Sequence, residues 1–252
     1  MVKKLNKKIH IGTMGWSYKF WKDSFYSSDT KPDNFLEEYS KHFGTVEVNS
    51  TFYHVPTIFT IKNWEKQTEP NFIFSIKAPK KITHNNLSKD TSNYLDFFLN
   101  TVSNLGSKLG PILFQFPPSY NSKNFDLLKD FTSILPKKHR YAFEIRNNSW
   151  CTDKFYNLLK EYQIALVIGD NLLACEPKIV TTDFTYFRWQ GSRKQINGTL
   201  GKVEKERNLD IQKWGKIIQT YSDNTEIFGY FSKYFSGFPP QDVKQLLDYL
   251  SN

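Results

Sequence analysis

Residues 45–77 decide the fold: TVEVN at residues 45–49, an amphipathic segment at 57–67, then FIFSIK at residues 72–77. In the first run Val46 and Val48 alternate with Glu47 and Asn49, which is the two-residue period of a strand. The last run sets Phe72, Phe74 and Ile76 against Ser75 and Lys77 in the same way. A strand, a helix and a second strand joined this closely form a crossover unit, and such units build parallel sheets.

Working outward, the same alternation returns at residues 9–15, 111–116, 141–145, 164–168, 184–189 and 226–231, making eight strand-like runs. Helical stretches fall at 32–43, 91–105, 125–135, 152–162, 209–221 and 240–250. Pro32 and Pro240 occupy first-turn positions, where a missing N–H does no harm. Thr152 before Asp153 reads as an N-cap. Only the connection at 171–183 is short and weakly helical. Eight such units in 252 residues predict an α/β fold, a single-domain (β/α)8 TIM barrel. An open doubly wound sheet seldom fits eight parallel strands into so short a chain. Residues 1–8, with four lysines, read as a basic N-terminal tail, and residues 9–252 as the barrel. The longest irregular piece, 190–208, reads as an active-site loop or lid.

Composition narrows the function. No apolar run approaches the ~20 residues that span a bilayer, so no membrane partner is expected. Phe 22, Tyr 14 and Trp 6 are far too many for a disordered chain. A net charge of +9 points to an anionic partner, although the tail accounts for part of it. Cys151 and Cys175 are the only cysteines, without a CxxC motif or a secretory pattern, which suggests a reduced, cytoplasmic setting.

Strand parity identifies the candidate site. With the oily face of each strand toward the helices, the other face carries Glu47, Asn49, Lys77, Gln115, Glu144, Arg146 and Arg188, while Asp170 ends the sixth run. All fall near the C-terminal strand ends, where barrel enzymes gather their chemistry. Three acids and three bases cancel, so the group reads either as a ligand site or as a paired polar plug.

The motifs around these positions resemble a known family. GTMGWSY at 12–18, TVEVNSTFY at 45–53, FSIKAPK at 74–80, KLGPILFQFPP at 108–118, AFEIR at 142–146 with Ser149 and Trp150, and DFTYFR at 183–188 with Gly191 are similar to the YecE-like family, domain of unknown function 72. The resemblance runs through nearly the whole chain and implies a TIM barrel without supplying an activity. Met14, Gln190 and the pair Ser232 and Lys233 depart from the family's usual residues at the first, seventh and eighth strands.

Three chemistries are open. Metal-assisted phosphoester cleavage needs converging His and carboxylate ligands. Yet none of His10, His42, His54, His84 and His139 ends a strand, so a multi-zinc site is disfavoured; one divalent ion on Glu47, Glu144 or Asp170 remains compatible. Metal-free glycosidase-like hydrolysis would pair Glu47 with Glu144, with Trp16, Trp150 and Trp189 as stacking faces. A Schiff-base role for Lys77 is opposed by neighbouring acids, which should raise its pKa. Binding without catalysis is the third class. A basic rim at Lys77, Lys80, Lys81 and Lys89, and again along 193–207, suits a phosphate-bearing ligand or single-stranded nucleic acid.

The expectation is a hydrolase-type enzyme acting on an anionic, phosphorylated or nucleic-acid-derived substrate. Glu47, Glu144 and Lys77 are its catalytic candidates. Trp16, Asn49, Tyr53, Gln115, Arg146, Trp150, Asp170 and Arg188 are its substrate-binding candidates. No cofactor is implied beyond that single divalent ion.

Overall fold

Eight parallel strands close on themselves in the order β1-β2-β3-β4-β5-β6-β7-β8 in the computed structural model, which describes residues 8–84, 90–170, 179–221 and 225–251. The strands are β1 (Ile9–Met14), β2 (Thr45–Val48), β3 (Ile73–Lys77), β4 (Leu109–Gln115), β5 (Tyr141–Glu144), β6 (Ile164–Gly169), β7 (Phe184–Trp189) and β8 (Glu226–Phe231). The helices are α1 (Phe35–His42), α2 (Ile58–Lys66), α3 (Lys80–Thr83), α4 (Asp90–Val102), α5 (Phe125–Ser133), α6 (Asp153–Glu161), α7 (Asn208–Tyr221) and α8 (Pro239–Ser251). The barrel read from the alternation is therefore the fold. Only the single turn α3 has no counterpart in the sequence reading, being too short to show a helical period. Residues 1–7 of the expected tail, Lys89, and much of the 171–183 connection including Cys175 lie outside the described residues.

Local chemistry explains the element ends. Thr57 Oγ1 accepts from Thr60 N at 3.1 Å, and Thr152 Oγ1 from Phe155 N at 3.3 Å, so each caps the helix that follows. Buried Lys108 satisfies the far end of α2, donating to the carbonyls of Glu65 at 2.6 Å and Thr68 at 2.9 Å.

Two apolar clusters follow from strand parity. The larger lies between strands and helices and holds Val46, Val48, Phe74, Ile76, Phe114, Phe143, Phe187 and Trp189. The smaller fills the barrel itself with Leu113, Ala142, Ala165, Val167, Phe184, Tyr186, Phe228 and Tyr230. Tyr230 ties the interior together, its hydroxyl lying 2.8 Å from Thr45 Oγ1 and 2.7 Å from Ser75 Oγ. At the N-terminal mouth His10 Nε2 meets Glu226 Oε1 at 2.8 Å, and Arg140 reaches Glu226 at 2.7 Å. That cluster closes the pole opposite the candidate site. Among the described residues no helix is long and apolar enough to cross a membrane.

Cys151 corrects one expectation. It is disulfide-bonded, although the lack of a CxxC motif suggested reduced thiols.

Candidate functional site

At the C-terminal mouth the polar strand ends stack in two levels. The lower level is a buried ion cluster. Glu47 and Glu144 are both fully buried, and Arg188 lies between them. Arg188 donates from Nε to Glu47 Oε2 at 2.9 Å, from Nη2 to Glu47 Oε1 at 2.8 Å, and from Nη1 to Glu144 Oε2. Tyr186 adds a hydroxyl donor to Glu47 at 2.8 Å, and Asn49 an amide donor at 2.8 Å. Arg146 holds the other oxygen of Glu144 at 2.6 Å, with Gln190 at 3.2 Å beside it. Burial alone would raise the Glu144 pKa, but Arg188 and then Arg146 outweigh it and hold the carboxyl at about 2. Two carboxylates against two guanidiniums leave this level neutral.

Register explains why these side chains meet. Gln115 pairs with Glu144 and Lys77 with Leu113 across adjacent strands, so residues of one parity share the interior face of the barrel. Arg188 is the longest of them and crosses the interior to bridge β2 and β5.

Above the ion cluster opens a cavity of about 580 Å³, within the range of small-molecule sites. Of the residues singled out from sequence, Asn49, Tyr53, Lys77, Gln115, Arg146 and Arg188 line it. Gln190, Arg193, Lys233 and Tyr234 join them from the loops after β7 and β8, together with Phe52 after β2. Strand parity does not extend into loops, so those side chains could not be placed beforehand. The basic segment after β7 was the one available signal for Arg193.

Other candidates lie elsewhere. Glu47 and Glu144 sit beneath the cavity wall rather than on it. Trp16 packs edge-on against Trp64, 5.5 Å between ring centres, beside a separate surface depression. Trp150 is fully buried and donates from Nε1 to the carbonyl of Tyr120 at 2.8 Å. Trp189 is also buried, stacked on Phe231. The Asp170 carboxylate accepts from the backbone N–H groups of Gln190 at 2.7 Å and Gly191 at 2.8 Å. Burial holds its pKa above the usual range despite those donors. It anchors the loop after β7. That loop is fastened farther along too, where Glu204 accepts from Asn197 N and Gly198 N and the backbone of Glu204 and Lys205 donates to Ser236.

The tryptophans offer a direct check. Trp150→Phe should lose about 1 kcal/mol of stability with its hydrogen bond, while phosphate binding measured by calorimetry stays unchanged. A large loss of binding would return Trp150 to the site.

Among the described residues no group of three His, Cys, Asp or Glu side chains could hold a metal ion. Glu47, Glu144 and Asp170 do not converge as a ligand set, because the Arg188 guanidinium takes the bridging position between the two glutamates. His84, whose ring nitrogen meets Thr83 Oγ1 at 2.8 Å, and His54 are not on the cavity wall.

Lys77 departs most from expectation. Adjacent acids were expected to raise its pKa. Instead burial, reinforced by the like charge of Arg188, outweighs the pull of Glu144 and Glu47 and brings it down to about 7. The acids fail to dominate because their charge is already taken up by two arginines.

Comparison with known proteins matches the chain to the family "Protein of unknown function DUF72" over residues 10–252. The UPF0759 protein YecE of Escherichia coli K12 is 30% identical over 139 residues, 55% of this chain and 48% of that protein, so the match spans about half of the relative's length. The UPF0759 protein YunF of Bacillus subtilis is 24% identical over 96% of this chain and 94% of its own. Among solved structures, a DUF72 family protein (TM1631) from Thermotoga maritima superposes with a TM-score of 0.79 at 23% identity, covering 97% of this chain and 99% of that one. A DUF72 family protein (EF0366) from Enterococcus faecalis gives 0.77 at 22%, covering 97% and 96%. These likenesses agree on the barrel, and the family match covers all of it: the chain belongs to the DUF72 family.

Proposed function

We propose that the barrel mouth binds a small anionic substrate and that Lys77 is the acid–base group acting on it. One observation carries this reading. Lys77, Arg193 and Lys233 line the cavity, and none of them forms an ion pair with a described residue. Each is held instead over an aromatic ring. Lys77 Nζ lies 3.9 Å from the centre of Phe52, the Arg193 guanidinium 4.9 Å from Tyr234, and Lys233 Nζ 5.1 Å from Tyr234. Aromatic faces orient a cation without neutralising it, so the wall keeps positive charge facing open space. Among the described residues no carboxylate stands on that wall.

The volume suits a metabolite-sized anion, phosphorylated compounds and single nucleotides included, rather than a nucleic-acid strand. A side chain titrating near neutrality is well placed for proton transfer, and the cations would stabilise negative charge developing on a bound substrate. The two-carboxylate glycosidase reading draws no support from this arrangement, because both acids lie under the wall and are committed to arginines. Nor does any wall residue single out hydrolysis among acid–base reactions.

Calorimetric titration with inorganic phosphate tests the reading. Each charge-assisted hydrogen bond contributes about 1.5–3 kcal/mol, so removing two cations in Arg193→Ala/Lys233→Ala should weaken binding by about 100-fold or more. Binding unaffected by that double substitution would refute the anion site. Binding without turnover across a panel of small phosphorylated and carboxylated compounds would favour the non-catalytic alternative.

A further inference from the structure

We propose that Lys77 captures a carbonyl-bearing anion as a covalent imine. The proposal rests on the anion site above and names the substrate class that site would take: a small compound carrying both a carboxylate or phosphate and an aldehyde or ketone.

The geometry points there from three sides. Lys77 is the last residue of β3 and only 8% exposed, yet it lines the cavity. Its Nζ makes no ion pair or hydrogen bond with a described residue and lies 3.9 Å from the centre of the Phe52 ring. A lysine kept merely as a counter-charge would be expected to touch one of the two glutamates beneath the cavity; here both are taken by Arg188 and Arg146.

Charge is arranged across the barrel from the amine. In the closed strand order β3 and β7 are separated by three strands on either side, so Arg193, from the loop after β7, faces Lys77 from the opposite wall. Lys233, after β8, stands beside it. A substrate whose anionic end rests on Arg193 and Lys233 would therefore present its other end to Nζ. Gln115 lines the same cavity from β4, two residues beyond Leu113, the register partner of Lys77. Its Oε1 accepts from Arg188 at 3.4 Å, which leaves its amide N–H group to donate to a carbonyl oxygen.

The low-lying pKa of Lys77 noted above supplies the uncharged amine that such chemistry needs. The Nζ lone pair forms a bond to the carbonyl carbon while the C=O π pair moves to oxygen, which takes up a proton. The nitrogen loses a proton, the carbinolamine hydroxyl gains one, and that hydroxyl departs as water as the C=N bond forms. In sum, one amine, one carbonyl and one proton give one protonated imine and one water. No oxidant or reductant is consumed.

Trapping with cyanoborohydride, which delivers hydride to the imine carbon, makes the adduct permanent. The full-length protein would be incubated near neutral pH with pyruvate, glyoxylate or dihydroxyacetone phosphate, and the labelled site mapped by peptide mass spectrometry. The expected result is a single adduct on Lys77 with at least one of the three. It should vanish in Lys77→Arg, fall at least tenfold when inorganic phosphate competes, and be at least tenfold weaker with acetone, which has no anionic group.

Circular dichroism and phosphate titration of Lys77→Arg show whether that variant remains folded. Labelling spread over surface lysines, or no Lys77 adduct with any of the three compounds while phosphate still binds, overturns the imine and leaves the anion site standing. Failure of the wild-type protein to bind phosphate or any of the three anions overturns the anion site as well.

Discussion

Replacing Arg188 with methionine is expected to destabilise the barrel by about 3–5 kcal/mol at neutral pH, measured by urea unfolding. The side chain is of similar length, so packing changes little. What disappears is the cation shared by two fully buried carboxylates, Glu47 on β2 and Glu144 on β5. Glu47 would keep Tyr186 and Asn49, and Glu144 would keep Arg146 and Gln190, but the lower level would change from neutral to net negative in a site shielded from water.

The pH dependence has a definite sign. In the wild type the Glu144 pKa lies near 2, below its unfolded value. Its contribution is therefore present above about pH 4.5 and lost as pH falls toward 2. Without Arg188, burial dominates and the pKa moves above the unfolded value, so the variant gains relative stability as pH drops from 7 to 5. Adding Glu47→Gln and Glu144→Gln should restore much of the loss at pH 7, since neutral amides remove the uncompensated charge. A cost below about 1 kcal/mol that does not vary with pH would show that Arg188 is not the shared counter-ion.

This cluster also shows how far the sequence could be read. Period-2 alternation correctly placed Glu47, Lys77, Gln115, Glu144 and Arg188 in the interior, because a strand has only two faces and the apolar one must meet the helices. Height within the barrel was not legible. Whether a residue lies under the cavity wall or on it depends on side-chain length and on which partner it meets across the interior. Arg188 is long enough to reach both glutamates, whereas Lys77 is left with an aromatic ring. Counting three acids against three bases therefore gave a neutral site, while the structure separates a neutral lower level from a cationic upper one.

Loops were less legible still. Trp16 and Trp150 lie in motifs next to strand ends, yet each turns its ring into packing, and no periodicity could have shown that. Asp170 shares the parity of Leu166 and Ile168 rather than that of the barrel-facing Val167. Its carboxylate accordingly reaches sideways to the backbone after β7 instead of into the mouth. Read with that parity, the sequence does contain the signal.

Gly191, the second backbone group held by Asp170, yields the other large effect. Its φ is +63°, and a Cβ added there would lie 1.8 Å from the carbonyl oxygen of Tyr234 and 2.4 Å from the Cα of Phe235. Two other glycines separate the causes. Gly106 has a similar φ of +58°, paired with a ψ of −128° that favours glycine, and nothing within 4 Å, so Gly106→Ala should show backbone strain alone, about 1–3 kcal/mol. Gly44 is exposed and has no such neighbour or strained φ, so Gly44→Ala should stay within about 0.5 kcal/mol of wild type. Gly191→Ala adds a steric term of about 1–3 kcal/mol to a positive-φ strain of about 1–3 kcal/mol, for a total near 4 kcal/mol. Because the obstructing atoms are backbone, relief must come from movement of residues 234–235, beside the cavity-lining Lys233 and Tyr234. Gly191→Ala should therefore weaken phosphate binding at least tenfold, measured at a temperature where it remains folded, while Gly106→Ala binds as the wild type does. Equal stability losses at the two positions would mean that the loops after β7 and β8 are not in the close contact on which the upper level of the site depends.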